Sequence, residues 1–409
     1  MTQTTSFPKN QIKVLLLEGL HKESVRRIEA EGFHVISEKR AYDEAELLEI
    51  IPEIHVLGIR SKTYVSAKAM AKAKRLLSIG AFCIGTNQID LRAAKIQGVP
   101  VFNAPYSNTR SVAELVIAEV IMLARQLFGK ISSAHAGEWN KSAAGSMEVR
   151  GKTLGIIGYG HIGQQVSVLA EALGMRVLFY DVVDKLTMGN ATRVPDLRDL
   201  MERSDYVTLH VPGTRDTQGM IGAKQLDWMK SGACLINASR GTVVDIDALA
   251  ARLKSGRLAG AAIDVFPEEP KSVGDRFSSP LQGLPNVLLT PHIGGSTEEA
   301  QRNIGLEVAM KLIRFVNNGS TEGAVNFPNE VLPEMADQHR ILHIHQNVPG
   351  VLQKVNTLFG EAGINVTGQF LRTYEDVGYL IMDANKNATQ KIIRDLKNMP
   401  ETIKVRALF

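Results

Sequence analysis

Three short segments in the second half of the chain each offer one polar residue of a type that catalysis uses. "INASRGTVVD" presents Arg240, "DVFPEEP" presents Glu269 and "TPHIGGS" presents His292. A histidine titrates near neutral pH and can exchange a proton with a substrate hydroxyl or carbonyl in either direction. A neighbouring carboxylate would hold the imidazole and raise its pKa, favouring the imidazolium that donates to a keto oxygen. An arginine fork donates bidentately to a planar carboxylate and polarises an adjacent carbonyl. The three together suit oxidation of a 2-hydroxy acid, given a hydride acceptor. Singly, each has a plainer reading: a surface ion pair for Arg240, a solvated loop residue for Glu269, a helix cap for His292.

The hydride acceptor has its own signature. "LGIIGYGHIG" places Gly158, Gly160 and Gly163 directly after an apolar strand and at the start of a helix, and Asp181 ends the next strand, "VLFYD". Glycines there permit a tight turn and close backbone approach, so that the helix N-terminus faces a pyrophosphate. An acidic residue at Asp181 accepts hydrogen bonds from the adenosine ribose and repels a 2′-phosphate, which favours NAD over NADP. A glycine turn without a ligand is the plainer alternative.

These residues require strand ends to position them. Before "NAPYSNTRSVAE", short apolar runs at 14–17, 56–59, 77–79 and 101–103 alternate with helical patterns. A second such series runs from "KTLGIIGYGHIG" through "YVTLHVP", "ACLINAS", "LAGAAIDVF" and "NVLLTPH". This is the βαβ rhythm of parallel sheets, whose strand ends line a ligand crevice. "SVAELVIAEVIMLARQLF" reads as one helix, buried against a partner element rather than crossing a membrane, since it carries Glu114, Glu119 and Arg125. The expected architecture is α/β with two doubly wound parallel-sheet domains. One is a Rossmann-type nucleotide domain over 108–296. The other is a flavodoxin-like substrate domain, discontinuous over 1–107 and 297–330.

A third domain follows at 339–409. Its pattern is strand 341–346, helix 349–361, strand 364–372, strand 378–384, helix 388–398 and strand 403–408. That βαββαβ order is ferredoxin-like. Pro349 suits the first turn of its first helix and Gly363 the end. "HIHQNVPGVL" puts His343, His345 and Asn347 on alternate positions, so one strand face is polar. A metal site, a small-molecule pocket and plain structural use are the three readings. The metal is disfavoured because no third ligand lies nearby in sequence, and no metal is expected.

Composition narrows the class. The 409 residues are 44% apolar and 22% charged, with 47 Lys+Arg against 43 Asp+Glu and no long run of one sign. Neither a nucleic-acid footprint nor a membrane span is expected. Two cysteines and an N-terminus without a leader-length apolar run fit a reducing cytoplasm.

"GYGHIG", "INASRGTVVD", "AAIDVFPEEP" and "LLTPHIGGS" together resemble the D-isomer-specific 2-hydroxyacid dehydrogenase family over nearly the first 330 residues. The resemblance implies Arg240, Glu269 and His292 as the catalytic set. It implies Asp264 near the nicotinamide amide, and His161, Ile162, Ala238, Ser239, Gly294 and Gly295 along NAD, with Arg240 and His292 also touching the cofactor.

"GIRSKTYV", "FCIGTNQIDL" and "FNAPYSNTRSVAE" add Arg60, Ser61, Lys62, Thr63, Asn87, Asn108 and Arg110. So many donors suggest a second anionic group on the substrate, with a solvated ion pair at Arg60 as the alternative. The same segments resemble family members that oxidise 3-phosphoglycerate in the first step of serine synthesis. That implies Arg60 and Ser61 on the phosphate with Asn108 nearby, and 2-oxoglutarate reduction as a further activity open to the same cations. The tail resembles the ACT domain, a small-molecule sensor. This implies L-serine at His345, Asn347 and, from a partner subunit, Asn365, in a homotetramer. The relatives' anion site, two arginines before this strand with a lysine from another subunit, has only Arg340 after His339 here, with Lys141 as the candidate lysine. Trp139 either packs on a neighbouring subunit or is buried in its own chain. A rival of another class is a non-catalytic NAD-responsive scaffold, because corepressors share the fold and the trio.

Overall fold

A computed structural model describes residues 7–270, 274–333, 339–385 and 390–408. The expected start of the last helix at 388 and the first six positions lie outside the described residues. The chain divides into two compact units, Met1–Ser107 with Gln301–Phe409, and Asn108–Ala300.

The first unit opens with a parallel sheet of β1 (Lys13–Leu16), β2 (His34–Ser37), β3 (Val56–Ile59), β4 (Ser78–Ala81) and β5 (Val101–Phe102), in the order β2-β1-β3-β4-β5. This is the flavodoxin-like order. Alternate residues along each strand feed two cores. Leu15, Leu57, Ile79 and Val101 pack on one face. Val14, Leu16, Val56 and Phe102 pack on the other with Val308, Leu312 and Phe315, from the helix Glu298–Asn318. Burial on both faces explains why the strands are continuously apolar rather than alternating.

The second unit holds a seven-stranded parallel sheet. Its strands are β6 (Thr153–Ile157), β7 (Arg176–Tyr180), β8 (Thr192–Arg193), β9 (Tyr206–Leu209), β10 (Cys234–Asn237), β11 (Gly260–Ile263) and β12 (Val287–Leu289). The order β12-β11-β10-β9-β6-β7-β8 is the Rossmann arrangement with one further strand. Val112, Val116 and Val120 cover one face, from the helix Thr109–Arg125. The single long helix expected here is two: Gln126, at φ 52°, is left-handed, and a second helix runs Leu127–His135. The second helix buries none of its residues, and Phe128 and Ile131 stay exposed.

The tail builds a four-stranded antiparallel sheet from β13 (His339–Gln346), β14 (Val366–Tyr374), β15 (Val377–Ala384) and β16 (Thr402–Leu408), ordered β14-β15-β13-β16. This is the ferredoxin-like order. Its first helix starts at Val351 behind Gly350, whose φ of 90° turns the chain, so Pro349 precedes the cap and is not in the first turn as expected. Gly363, at φ 65°, follows the C-cap Ala362, where a left-handed residue ends the helix. The tail packs against its own unit. Tyr379 donates to the Gly319 carbonyl at 2.6 Å, and Lys95 pairs with Glu375 and with Asp376, the latter at 2.7 Å.

Candidate active site

Strand register gathers the first three residues of interest. Asn237 pairs with Ile263, and Ile263 with Leu289, so the carboxyl ends of β10, β11 and β12 lie side by side. Arg240, Asp264 and His292 follow those ends.

The His292 Nδ1 lies 2.9 Å from Glu269 Oε2 and 3.1 Å from Oε1. Glu269 is itself fixed by the Phe266 N–H, which donates to Oε1 at 3.2 Å. The His292 N–H donating to Glu269, working against burial, holds the His292 pKa above its ordinary value. Burial pushes the Glu269 carboxyl up, but the His292 hydrogen bond and charge outweigh it, and the net shift is downward. Arg240 bears on both groups electrostatically. His292 takes a left-handed backbone, φ 54°, uncommon for a residue with a Cβ.

Buried Asp264 explains how that backbone is held. Its Oδ1 accepts from Thr290 Oγ1 at 2.6 Å and the Ile293 N–H at 2.8 Å, and its Oδ2 from the Gly294 N–H at 2.9 Å. One carboxylate thus clamps the loop that carries His292. Glu119, behind it on the helix Thr109–Arg125, is buried with neither oxygen partnered. Burial and then Asp264 push it up to about 8, so it is a neutral acid at pH 7.

Arg240 is placed by residues that the sequence reading did not single out. Asn237, fully buried, donates to the Arg240 carbonyl at 3.0 Å and accepts from Ser239 N–H and Oγ at 3.0 and 2.8 Å. Gly241 packs on the backbone of Phe266, where a Cβ would lie 2.0 Å from the carbonyl carbon. That close approach seats the Arg240 turn against the Glu269 loop, and only an unexplained glycine inside "ASRGT" signalled it.

The glycine loop fits a dinucleotide. Gly158 has φ 91°, and a Cβ on it would lie 2.5 Å from the His210 carbonyl oxygen; one on Gly163 would lie 2.3 Å from the Gly158 oxygen. Gly160 faces open space and caps the helix His161–Ala172 without any side-chain hydrogen bond, so the first turn is open to an anion. The Asp181 carboxylate accepts from the Tyr159 N–H at 2.7 Å and the Val183 N–H at 2.9 Å, which ties it to the same loop. Ile162 and Ala238 are partly buried beside the core of this face.

Arg60 and Ser61 belong to the first unit and Asn108 to the second. Asn108 is buried, with its Oδ1 unpartnered, and its amide nitrogen packs where a Cβ on Gly295 would lie 2.7 Å away. Arg110 is engaged with Glu114 one helical turn on, at 2.6 Å.

In the tail, the polar face of β13 exists but is not open. His343 and His345 are buried, and only Asn347, beyond the strand, is exposed. The two imidazoles lie 5.2 Å apart. The Thr402 hydroxyl donates to the Leu396 carbonyl, so His343 Nε2 donates to Thr402 Oγ1 at 2.7 Å and its Nδ1 is a bare acceptor. His345 Nδ1 donates to the Gln346 carbonyl at 2.8 Å, which leaves Nε2 bare as well. Burial pushes His343 down to about 4 and lowers His345 too. Gly378 is needed opposite, because a Cβ would meet the His345 ring at 2.2 Å. The Asn347 side chain donates to the Glu375 carbonyl at 3.0 Å. Asn365 is exposed next to β14, away from these contacts. Arg340 is sealed in a buried ion pair with Asp383, at 2.6 and 2.7 Å, and also donates to the Asn318 and Pro333 carbonyls. Four of its five N–H donors are thus committed, and the side chain is buried away from an outside anion. Trp139 is 91% exposed, which removes burial in its own chain.

The model of the NAD-binding domain of D-isomer specific 2-hydroxyacid dehydrogenases matches residues 117–294. The chain is 51% identical to a D-3-phosphoglycerate dehydrogenase of Dictyostelium discoideum over the whole of both chains. It is 53% identical to one of Escherichia coli strain K12 over 99% of each. The chain belongs to the D-isomer specific 2-hydroxyacid dehydrogenases. Like them it is an NAD-dependent oxidoreductase rather than a non-catalytic scaffold. A solved D-lactate dehydrogenase from Aquifex aeolicus, in complex with NAD and lactic acid, superposes with a TM-score of 0.65 at 27% identity, covering 74% of this chain and 95% of the other. The model of the AHAS small subunit-like ACT domain matches residues 341–404. Among the described residues, no helix is long and apolar enough to cross a membrane, and no three His, Cys, Asp or Glu are grouped to hold a metal ion.

Proposed function

We propose that the protein oxidises 3-phospho-D-glycerate to 3-phosphohydroxypyruvate, the first step of L-serine synthesis, and that L-serine restrains it through the tail. The observation that carries the chemistry is the His292–Glu269 pair, with the imidazole pKa held high at the strand ends beside Arg240. The choice of substrate rests on relatives of that name, half identical from end to end.

When bound along Gly158, Gly160, His161, Ile162, Gly163, Asp181, Ala238, Ser239, Asp264, Gly294 and Gly295, NAD supplies the hydride acceptor for oxidation. Glu269 holds Nδ1, so His292 Nε2 is the nitrogen that takes the hydroxyl proton in oxidation and returns it to the keto oxygen in reduction. Arg240 binds the substrate carboxylate, and Arg60, Ser61 and Asn108 serve the phosphate end. A distal carboxylate can use the same cations, which makes 2-oxoglutarate the second substrate to try.

In the tail, His345, Asn347 and, from a partner subunit, Asn365 are the residues we assign to serine; Asn347 and Asn365 are exposed, while His345 Nε2 is bare but buried. The exposed Trp139, Phe128 and Ile131 support a homo-oligomer, which we take to be a tetramer, and the setting is the cytoplasm. The test is NADH oxidation with 3-phosphohydroxypyruvate, with and without L-serine. Turnover that serine suppresses supports both halves. Turnover indifferent to serine sinks the sensor half alone. Turnover with 2-oxoglutarate only sinks the phosphate assignment.

A further inference from the structure

One carboxylate in the first unit does an unusual amount of bonding. Glu18 Oε1 accepts from the N–H of Arg60 at 3.1 Å and of Thr63 at 2.9 Å, and Oε2 from the N–H of Ser61 and of Lys62, both at 3.0 Å. Four consecutive amides therefore converge on a single side chain. Successive N–H groups turned inward form a concavity that binds anions, and here an internal anion fills it.

The surrounding bonds show that the arrangement is held from both sides. Glu18 follows the end of β1, and its backbone is left-handed at φ 67°, a conformation that a residue with a Cβ rarely adopts. Its N–H donates to the Arg40 carbonyl at 3.1 Å, and the Gly19 N–H donates to the Glu38 carbonyl at 2.9 Å. On the loop side, the Arg60 carbonyl accepts from the Gln88 amide, and the Thr63 hydroxyl accepts from the Tyr42 N–H at 3.3 Å. The loop is thus tied through its four N–H groups, the Arg60 carbonyl and the Thr63 hydroxyl, while Ser61 and Lys62 remain exposed and Arg60 half-buried.

We propose that Glu18 is the positioning residue of the 60–63 loop and sets its selectivity for a phosphorylated substrate. By occupying the backbone amides, it leaves an incoming phosphate the Arg60 and Ser61 side chains of this loop rather than its backbone. By fixing the backbone, it starts those side chains from one defined origin. The inference rests on the reading of Arg60 and Ser61 as the phosphate end of the site.

The experiment compares reduction of 3-phosphohydroxypyruvate and of unphosphorylated hydroxypyruvate by the full-length enzyme and by Glu18→Gly. Glycine removes the carboxylate and suits the left-handed backbone. The KM for the phosphorylated substrate should rise about tenfold with kcat within about twofold, while the KM for hydroxypyruvate stays within about twofold. Added formate, which can refill the concavity, should lower the raised KM. Glu18→Gln, which places an amide NH₂ against backbone donors, should reproduce the KM effect and resist formate, and it decides the matter if the glycine variant does not fold. Equal losses for both substrates, or an unchanged KM ratio without a formate response, overturn the proposal. Arg60→Ala separates the two claims. If it leaves phosphate selectivity intact, the reading of the loop fails; if it abolishes selectivity while Glu18→Gly does not, only the role of Glu18 falls.

Discussion

The molecule contains two histidine sites of opposite construction. His292 stands half open, with a carboxylate on one nitrogen and its pKa held up. His343 and His345 lie buried with no carboxylate bonded to either ring, each donating one N–H to an oxygen and keeping one bare nitrogen, and burial drives both pKa values down. The first arrangement suits a group that gains and loses a proton in each turnover. The second suits a group that stays neutral, one nitrogen donating and the other kept as an acceptor. The same side chain therefore does different work according to what stands behind it, and predictions that exchange those backings test the contrast.

The largest effect is expected from removing the proton carrier. His292→Gln keeps a polar group of similar reach but cannot exchange a proton, so kcat for 3-phosphohydroxypyruvate should fall by about 10²- to 10⁴-fold. NADH binding, read by fluorescence, should persist, since the glycine loop and Asp181 are untouched. A kcat within about fivefold of the parent would remove His292 from proton transfer.

Glu269→Gln tests the backing rather than the carrier. Reduction needs His292 protonated, so its rate falls as pH rises through the His292 pKa. The carboxylate holds that pKa up, and its loss should move the falling limb to lower pH, with kcat at pH 8 dropping about tenfold or more. A pH profile that keeps its shape while the rate falls would assign Glu269 to packing instead.

The contrast also shows what was legible in the sequence. The chemistry-bearing residues were, because Arg240, Glu269 and His292 sit in motifs whose spacing after β10, β11 and β12 follows from a parallel sheet. The dinucleotide loop was, because glycines with no room for a Cβ leave a mark in the sequence. The supports were not. Nothing in "LLLEGL" announces that Glu18 reaches a loop more than forty residues on, since that contact depends on β1 lying beside β3. Alternation on β13 was read correctly as a polar face, yet not that helices cover it, because period two reports which side a residue takes and not what lies over that side. The helix break at Gln126 was hidden because a glutamine carries no turn signal, and the left-handed residue there is neither Gly nor Asn.

The smallest expected effect comes from the buried pair and has the opposite pH sense. His343 has its pKa lowered from 6.5 to about 4, so between those values the unfolded chain binds a proton that the folded tail refuses. Stability then rises with pH across that window: the contribution is complete above about 6.5 and is lost as pH falls toward 4, amounting to about 3 kcal/mol at most. His345, lowered in the same direction, adds to the trend. Glu401, whose charge works against that lowering at both rings, has its own pKa lowered, chiefly by its hydrogen bond with Lys354. Urea unfolding followed by hydrogen exchange in strand 339–346 should therefore show the tail loosening from pH 7 to pH 5, and His343→Gln should flatten that slope. A tail equally protected at both pH values would mean that its histidines take up protons when folded, and the neutral-acceptor half of the comparison would be lost.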